Sequence, residues 1–154
     1  MNRPQARARL VALLALNVAG CASVQHEAVL RTVTVEGAPK PVGPYSQGVV
    51  AGGLLYASGQ IPRDPVTGNL VAGDITVQTN RVFDNLEAVL KGAGCSLHDV
   101  VQVTVFMNDL GDFAKMNEVY ASRFGDHRPA RTTVQAKPPL GALLEMDMVV
   151  RIPR

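Results

Sequence analysis

VVQVTVFM, residues 100–107, is the stretch on which the fold turns. Its β-branched residues suit a strand, and its two faces read Val101, Val103, Val105, Met107 and Val100, Gln102, Thr104, Phe106. Neither face is polar enough to be left in water. If helices cover one side, a subunit interface is the natural cover for the other.

The neighbouring segments supply those helices. Upstream, DITVQTNRVFDNLEAVLKGA (74–93) spaces Ile75, Val82, Leu86, Val89 and Ala93 along one helical stripe, with Asp74 as N-cap and Gly92 and Gly94 at the C-terminal end. Downstream, Asp109 is placed to cap a second helix in which Phe113, Met116, Tyr120 and Phe124 share a face. RTVTV (31–35) reads as a strand, and VVAGGLLYASGQI (49–61) as a hairpin turning at Gly52-Gly53. ARTTVQA (130–136) and LLEMDMVVRI (143–152) are the last strands, joined through KPPLGA. The predicted order β, β-β, α, β, α, β-β is an α+β layout, one sheet with two helices on one face.

Strand parity extends the prediction. With the apolar rows turned to the helices, Ala130, Thr132, Val134 and Ala136 go inward with Leu144, Met146, Met148 and Val150. Arg131, Glu145 and Asp147 then share the opposite face.

A chain of 154 residues has room for one domain, and 47% apolar with 18% charged residues marks it as globular. The formal charge of +2 is misleading. Residues 1–20, MNRPQARARLVALLALNVAG, have the basic start and short apolar run of a signal peptide, too short to span a bilayer as a mature helix. The run ends in VAGC, which resembles a bacterial lipobox and implies lipidation of Cys21, with residues 21–30 as a tether. The alternatives are a plain signal peptide or a start codon placed upstream of a cytoplasmic protein. Removing residues 1–20 takes Arg3, Arg7 and Arg9 and no acid, leaving 12 basic against 13 acidic side chains. A charge of −1 without a basic stripe argues against nucleic acid as a partner.

Familiar catalytic signatures are missing: there is no GxSxG, no Walker loop and no GxGxxG. Cys95 and His98 form half of a metal motif at most, and no metal or organic cofactor is predicted. Arg131 is either a guard on an edge strand or a fork for a carboxylate. Glu145 is either its ion-pair partner or a carboxylate that handles water. Tyr45 and Ser46 sit in a loop stiffened by Pro44.

Five blocks, GPYSQG (43–48), ASGQIPRDPVTGNL (57–70), residues 80–120, RPARTTVQ (128–135) and LGALLEMDMVV (140–150), resemble the RidA/YjgF family of enamine/imine deaminases. The resemblance covers residues 31–154 and implies a chorismate-mutase-like fold, assembled as a homotrimer with sites between subunits. It implies cofactor-free hydrolysis of 2-iminopropanoate and 2-iminobutanoate to 2-oxo acids and ammonia. By position, Arg131 grips the substrate carboxylate and Glu145 positions the attacking water. Tyr45, Ser58, Gly59, Asn117 and Thr133 line the pocket, Thr133 standing where many members have cysteine. KPPLGA is a residue shorter than in the bacterial members compared, which makes Asp147 the alternative to Glu145. A non-enzymatic small-molecule-binding or chaperone-like role on the same fold is the other function to be weighed.

Overall fold

The computed structural model describes residues 30–153. The expected leader over residues 1–20, the lipidation at Cys21 and all of the tether but Leu30 lie outside the described residues.

Six strands and two α-helices follow the predicted order among the described residues: β1 (Arg31–Val33), β2 (Gly48–Ala51), β3 (Leu54–Gln60), α1 (Ile75–Gly92), β4 (Val100–Met107), α2 (Phe113–Phe124), β5 (Ala130–Gln135) and β6 (Leu144–Arg151). They form one sheet in the order β1-β2-β3-β6-β4-β5. Every neighbouring pair is antiparallel except β4 and β5, which run parallel across the α2 crossover.

Hydrophobic burial on one face holds this arrangement together. Val82, Phe83, Leu86 and Val89 of α1 and Met116, Tyr120 and Phe124 of α2 pack on Leu55, Val103, Val105, Met146 and Met148. Phe83 meets Tyr120 and Phe124 edge-on, with centroids 5.8 and 5.5 Å away, fastening the helices to each other. Asp74 caps α1 by accepting the Val77 N–H at 3.0 Å.

Two expectations change. Asp109 accepts from the Gly111 N–H at 2.8 Å and so caps a short 3-10 turn, Leu110–Asp112, ahead of α2. Phe113 consequently begins α2 at its exposed edge, away from the core.

The second change matters more. Arg131, Thr133 and Gln135 pair with Val103, Val105 and Met107, the row of β4 that faces the helices. Glu145 and Asp147 pair instead with Phe106 and Thr104, on the open face. Arg131 and Glu145 therefore lie on opposite faces of the sheet, against the parity argument. The physical reason is that β5 is an edge strand, exposed at nearly every position, so core burial does not select its facing. Its register is set by pairing to β4, and small residues such as Ala130 and Thr132 suit either side. The open face is half apolar as expected: it carries Phe106, Val149, Val134 at 39% exposure and Tyr56 at 48%.

Candidate functional site

The residues singled out in the sequence assemble into two separate groups. The first gathers at the end of β6 on the open face. Glu145 lines a small cleft with Tyr45, Gly59, Lys40, Ile61 and Pro139, and Asp147 is not among the lining residues. The open space is about 50 Å³, room for a few water molecules rather than a whole organic substrate.

Gly59 makes this geometry possible. A Cβ at that position would stand 2.0 Å from Glu145 Oε1 and 2.9 Å from its Cδ, so the carboxylate rests where any other side chain would be. Partial burial there pushes the Glu145 carboxyl up from the ordinary carboxylate range, and the negative charge of Asp147 adds to the rise.

The cleft walls are tied down by buried amides. Gln47, 2% exposed, accepts the Val35 N–H at 2.6 Å and donates to the carbonyls of Val35, Ala38 and Pro39. Asn85 donates to the carbonyls of Ile61 and Arg63 at 3.1 and 2.9 Å. Ser58 donates its hydroxyl to the Ser46 carbonyl at 2.6 Å, joining the GPYSQ loop to β3. The Tyr45 hydroxyl accepts the Val42 N–H at 3.3 Å, and the ring is 46% exposed at the cleft mouth.

The second group lies between β5 and α2. Arg131 donates to Asn117 Oδ1 at 2.7 Å, and its guanidinium carbon sits 4.5 Å above the Tyr120 ring and 5.6 Å above Phe113. Two aromatic faces and one amide thus fix the plane of the fork while its outer edge stays open. Among the described residues Arg131 has no carboxylate partner within ion-pair distance. An ion pair between Arg131 and Glu145 is ruled out within one chain by their opposite faces. Thr133 lines the adjoining hollow with Leu110 and Phe113, and its hydroxyl is buried without a partner.

Tyr120 and Phe113 were not recognised in the sequence as companions of Arg131. Tyr120 fits the apolar stripe of its helix and is 7% exposed, yet its hydroxyl has no partner. A hydroxylated aromatic on an otherwise apolar stripe was the only available signal. Cys95 is buried, and burial pushes its thiol up, away from the range of a reactive thiolate.

Comparison with known proteins adds a family context. Residues 35–152 match the family described as Endoribonuclease L-PSP. A RutC family protein of Pyrococcus abyssi is 52% identical over 118 residues, covering 76% of this chain and 93% of that protein. The 2-iminobutanoate/2-iminopropanoate deaminase of Salmonella typhimurium is 40% identical over 123 residues, 77% of this chain and 95% of that enzyme. The crystal structure of a putative endoribonuclease from Thermotoga maritima superposes with a TM-score of 0.78 at 47% identity, covering 80% of this chain and 98% of the other.

Proposed function

We propose that this chain, which belongs to the Endoribonuclease L-PSP family, is a cofactor-free hydrolase of reactive 2-imino acids and their enamine tautomers. The observation that carries the reading is the position of the Glu145 carboxylate, half-buried against Gly59 in a cleft with room for water; burial there also pushes its carboxyl up. A base with a pKa moved toward neutrality is better matched to taking a proton from water than an ordinary surface carboxylate. The resemblance to the Salmonella deaminase supports the substrate class.

In the proposed reaction the Arg131 fork binds the substrate carboxylate through two parallel N–H donors. Glu145 accepts a proton from water as the oxygen attacks the carbon of the protonated imine, and the C=N pair moves onto nitrogen, leaving a neutral amine on the tetrahedral adduct. Glu145 then returns its proton to the nitrogen of the tetrahedral adduct. The hydroxyl of the adduct gives up its proton to solvent as its oxygen forms the C=O bond, the C–N bond breaks, and ammonia and the 2-oxo acid leave. The protein positions the reactants and moves protons, which is enough for so electrophilic a carbon.

Arg131 and Glu145 lie on opposite faces, so one chain presents two half-sites. The half-apolar open face and the unpaired Arg131 fork support a homotrimer whose sites are completed between copies, Glu145, Tyr45 and Gly59 coming from one and Arg131, Asn117 and Thr133 from the next. Residues 1–20 as a leader and Cys21 as a lipid anchor would place the mature enzyme outside the cytoplasm. Fatty-acid labelling of the chain and of Cys21→Ser tests that placement.

The function is tested by ammonia release from freshly generated 2-iminopropanoate. The reading requires turnover by the native chain and its loss in both Arg131→Ala and Glu145→Gln. A native chain that releases no ammonia above the uncatalysed rate would sink it.

A further inference from the structure

We infer that Gln78 is a positioning residue for Glu145, setting the depth of the carboxylate in its cleft through the backbone of Leu143. This rests on the reading of Glu145 as the group that handles water.

Gln78 is on α1, 7% exposed, and its side chain joins three segments. Its Oε1 accepts the Leu143 N–H at 2.9 Å, and its Nε2 donates to the Val71 carbonyl at 3.1 Å. Leu143 stands immediately before β6, two residues ahead of Glu145. The Leu143 carbonyl accepts the Asn108 N–H at 2.9 Å, so this residue is held from both sides. At the other end of the connection the Ala136 N–H donates to the Met107 carbonyl at 2.8 Å.

Between those anchors runs the segment that carries Pro139, a wall of the Glu145 cleft. It contains Leu140 at φ 58 and ψ 13, the left-handed region that a branched side chain rarely occupies. Such a conformation persists only where the surroundings over-determine it. Gln78 supplies part of that constraint at the end nearest Glu145. A buried amide is an effective clamp because releasing it leaves the Leu143 N–H, the Val71 carbonyl or both without a partner away from water.

The groups that face Glu145 are few. Asp147 neighbours it on β6, while Lys40, Arg63 and Tyr45 lie on the cleft walls. None forms an ion pair with Glu145 among the described residues. Depth of burial is therefore the main control on its titration, and depth is what Gln78 sets.

The test follows Glu145 by ¹³C-carboxyl NMR titration, alongside kcat and its pH profile for 2-iminopropanoate. Gln78→Met keeps the volume and removes both hydrogen bonds. The expected result is a Glu145 midpoint lowered by about half a unit or more as water reaches the carboxylate. The acid limb of kcat should move with it, and kcat should fall about tenfold. Gln78→Glu keeps an acceptor for the Leu143 N–H and should hold the midpoint at or above its native position, its added negative charge acting in the same upward direction as Asp147. If the methionine variant fails to fold, Gln78→Asn, too short to span both partners, replaces it. A lowered melting temperature with the Glu145 midpoint and the acid limb unmoved would overturn the inference and leave Gln78 a purely structural residue. If the native chain releases no ammonia, the functional reading fails, while the titration still decides whether Gln78 positions Glu145.

Discussion

Adding one methyl group at Gly59 tests the carboxylate geometry more sharply than deleting the carboxylate. An alanine Cβ would stand 2.0 Å from Glu145 Oε1, and ordinary contact begins near 3.4 Å, so the carboxylate must retreat by about 1.4 Å. The obstructing atoms belong to the end of a flexible side chain, which can swing aside without moving the backbone. Gly59 is not among the glycines with positive φ, so alanine fits the backbone without strain and restricts the unfolded chain by about 0.4–1 kcal/mol. The fold should lose little, and the melting temperature should stay within a few degrees of native.

Catalysis should suffer far more. A displacement of about 1 Å in a catalytic group costs about 10²-fold, or about 2.7 kcal/mol of barrier. Gly59→Ala is therefore expected to lower kcat for 2-iminopropanoate about 100-fold, with KM nearly unchanged because Arg131 is untouched. The assay is initial-rate ammonia release, with a thermal melt on the same preparation. A folded Gly59→Ala protein with native kcat would rule out a role for the carboxylate's position, because it could then be moved without consequence.

Other expectations use the same assays. Arg131→Lys replaces a two-pronged fork with a point charge and should lower kcat/KM about 10–100-fold, mostly through KM, as one charge-assisted bond of about 1.5–3 kcal/mol is lost. Tyr120→Leu removes the ring 4.5 Å beneath that fork and should raise KM several-fold. Tyr120→Phe keeps the ring, removes a buried hydroxyl without a partner, and should match native KM with a melting temperature raised by the equivalent of about 1 kcal/mol. The Glu145 carboxyl is raised in the fold, so the native state holds its proton more tightly and stability falls as pH rises from the ordinary carboxylate value through the raised one. Glu145→Gln should accordingly melt higher than native at neutral pH and lose that advantage in acid, while its activity is abolished at every pH. A melting difference that does not change with pH would contradict that assignment.

Much of the fold was legible because burial wrote it into the spacing. Ile75, Val82, Leu86 and Val89 repeat at helical intervals since each must reach the same core. Leu144, Met146, Met148 and Val150 alternate because one face of β6 is dry. The facing of β5 was not legible, because an edge strand exposed on both sides carries no such record. The candidate site residues were named by motif resemblance, yet their division into two groups on opposite faces needed the register of β5 on β4. The supports of the site were hidden for another reason. Gln78 reaches Leu143 across 65 positions and Asn85 reaches Ile61 across 24, and no local pattern marks a polar side chain that is buried on a helix for a distant loop.

If Arg131 of one copy and Glu145 of another act together on an imine, two variants that are each inactive should complement one another. Arg131→Ala and Glu145→Gln chains, each inactive alone, are unfolded together in equal amounts, refolded, and assayed for ammonia release from 2-iminopropanoate. In a closed ring where each site takes one residue from each of two neighbours, about a quarter of the sites regain both groups, so about a quarter of native activity should return. Recovery at that level is expected if the site is shared between neighbouring copies. A mixture as inactive as its two components, with native chains refolded the same way fully active, would contradict it.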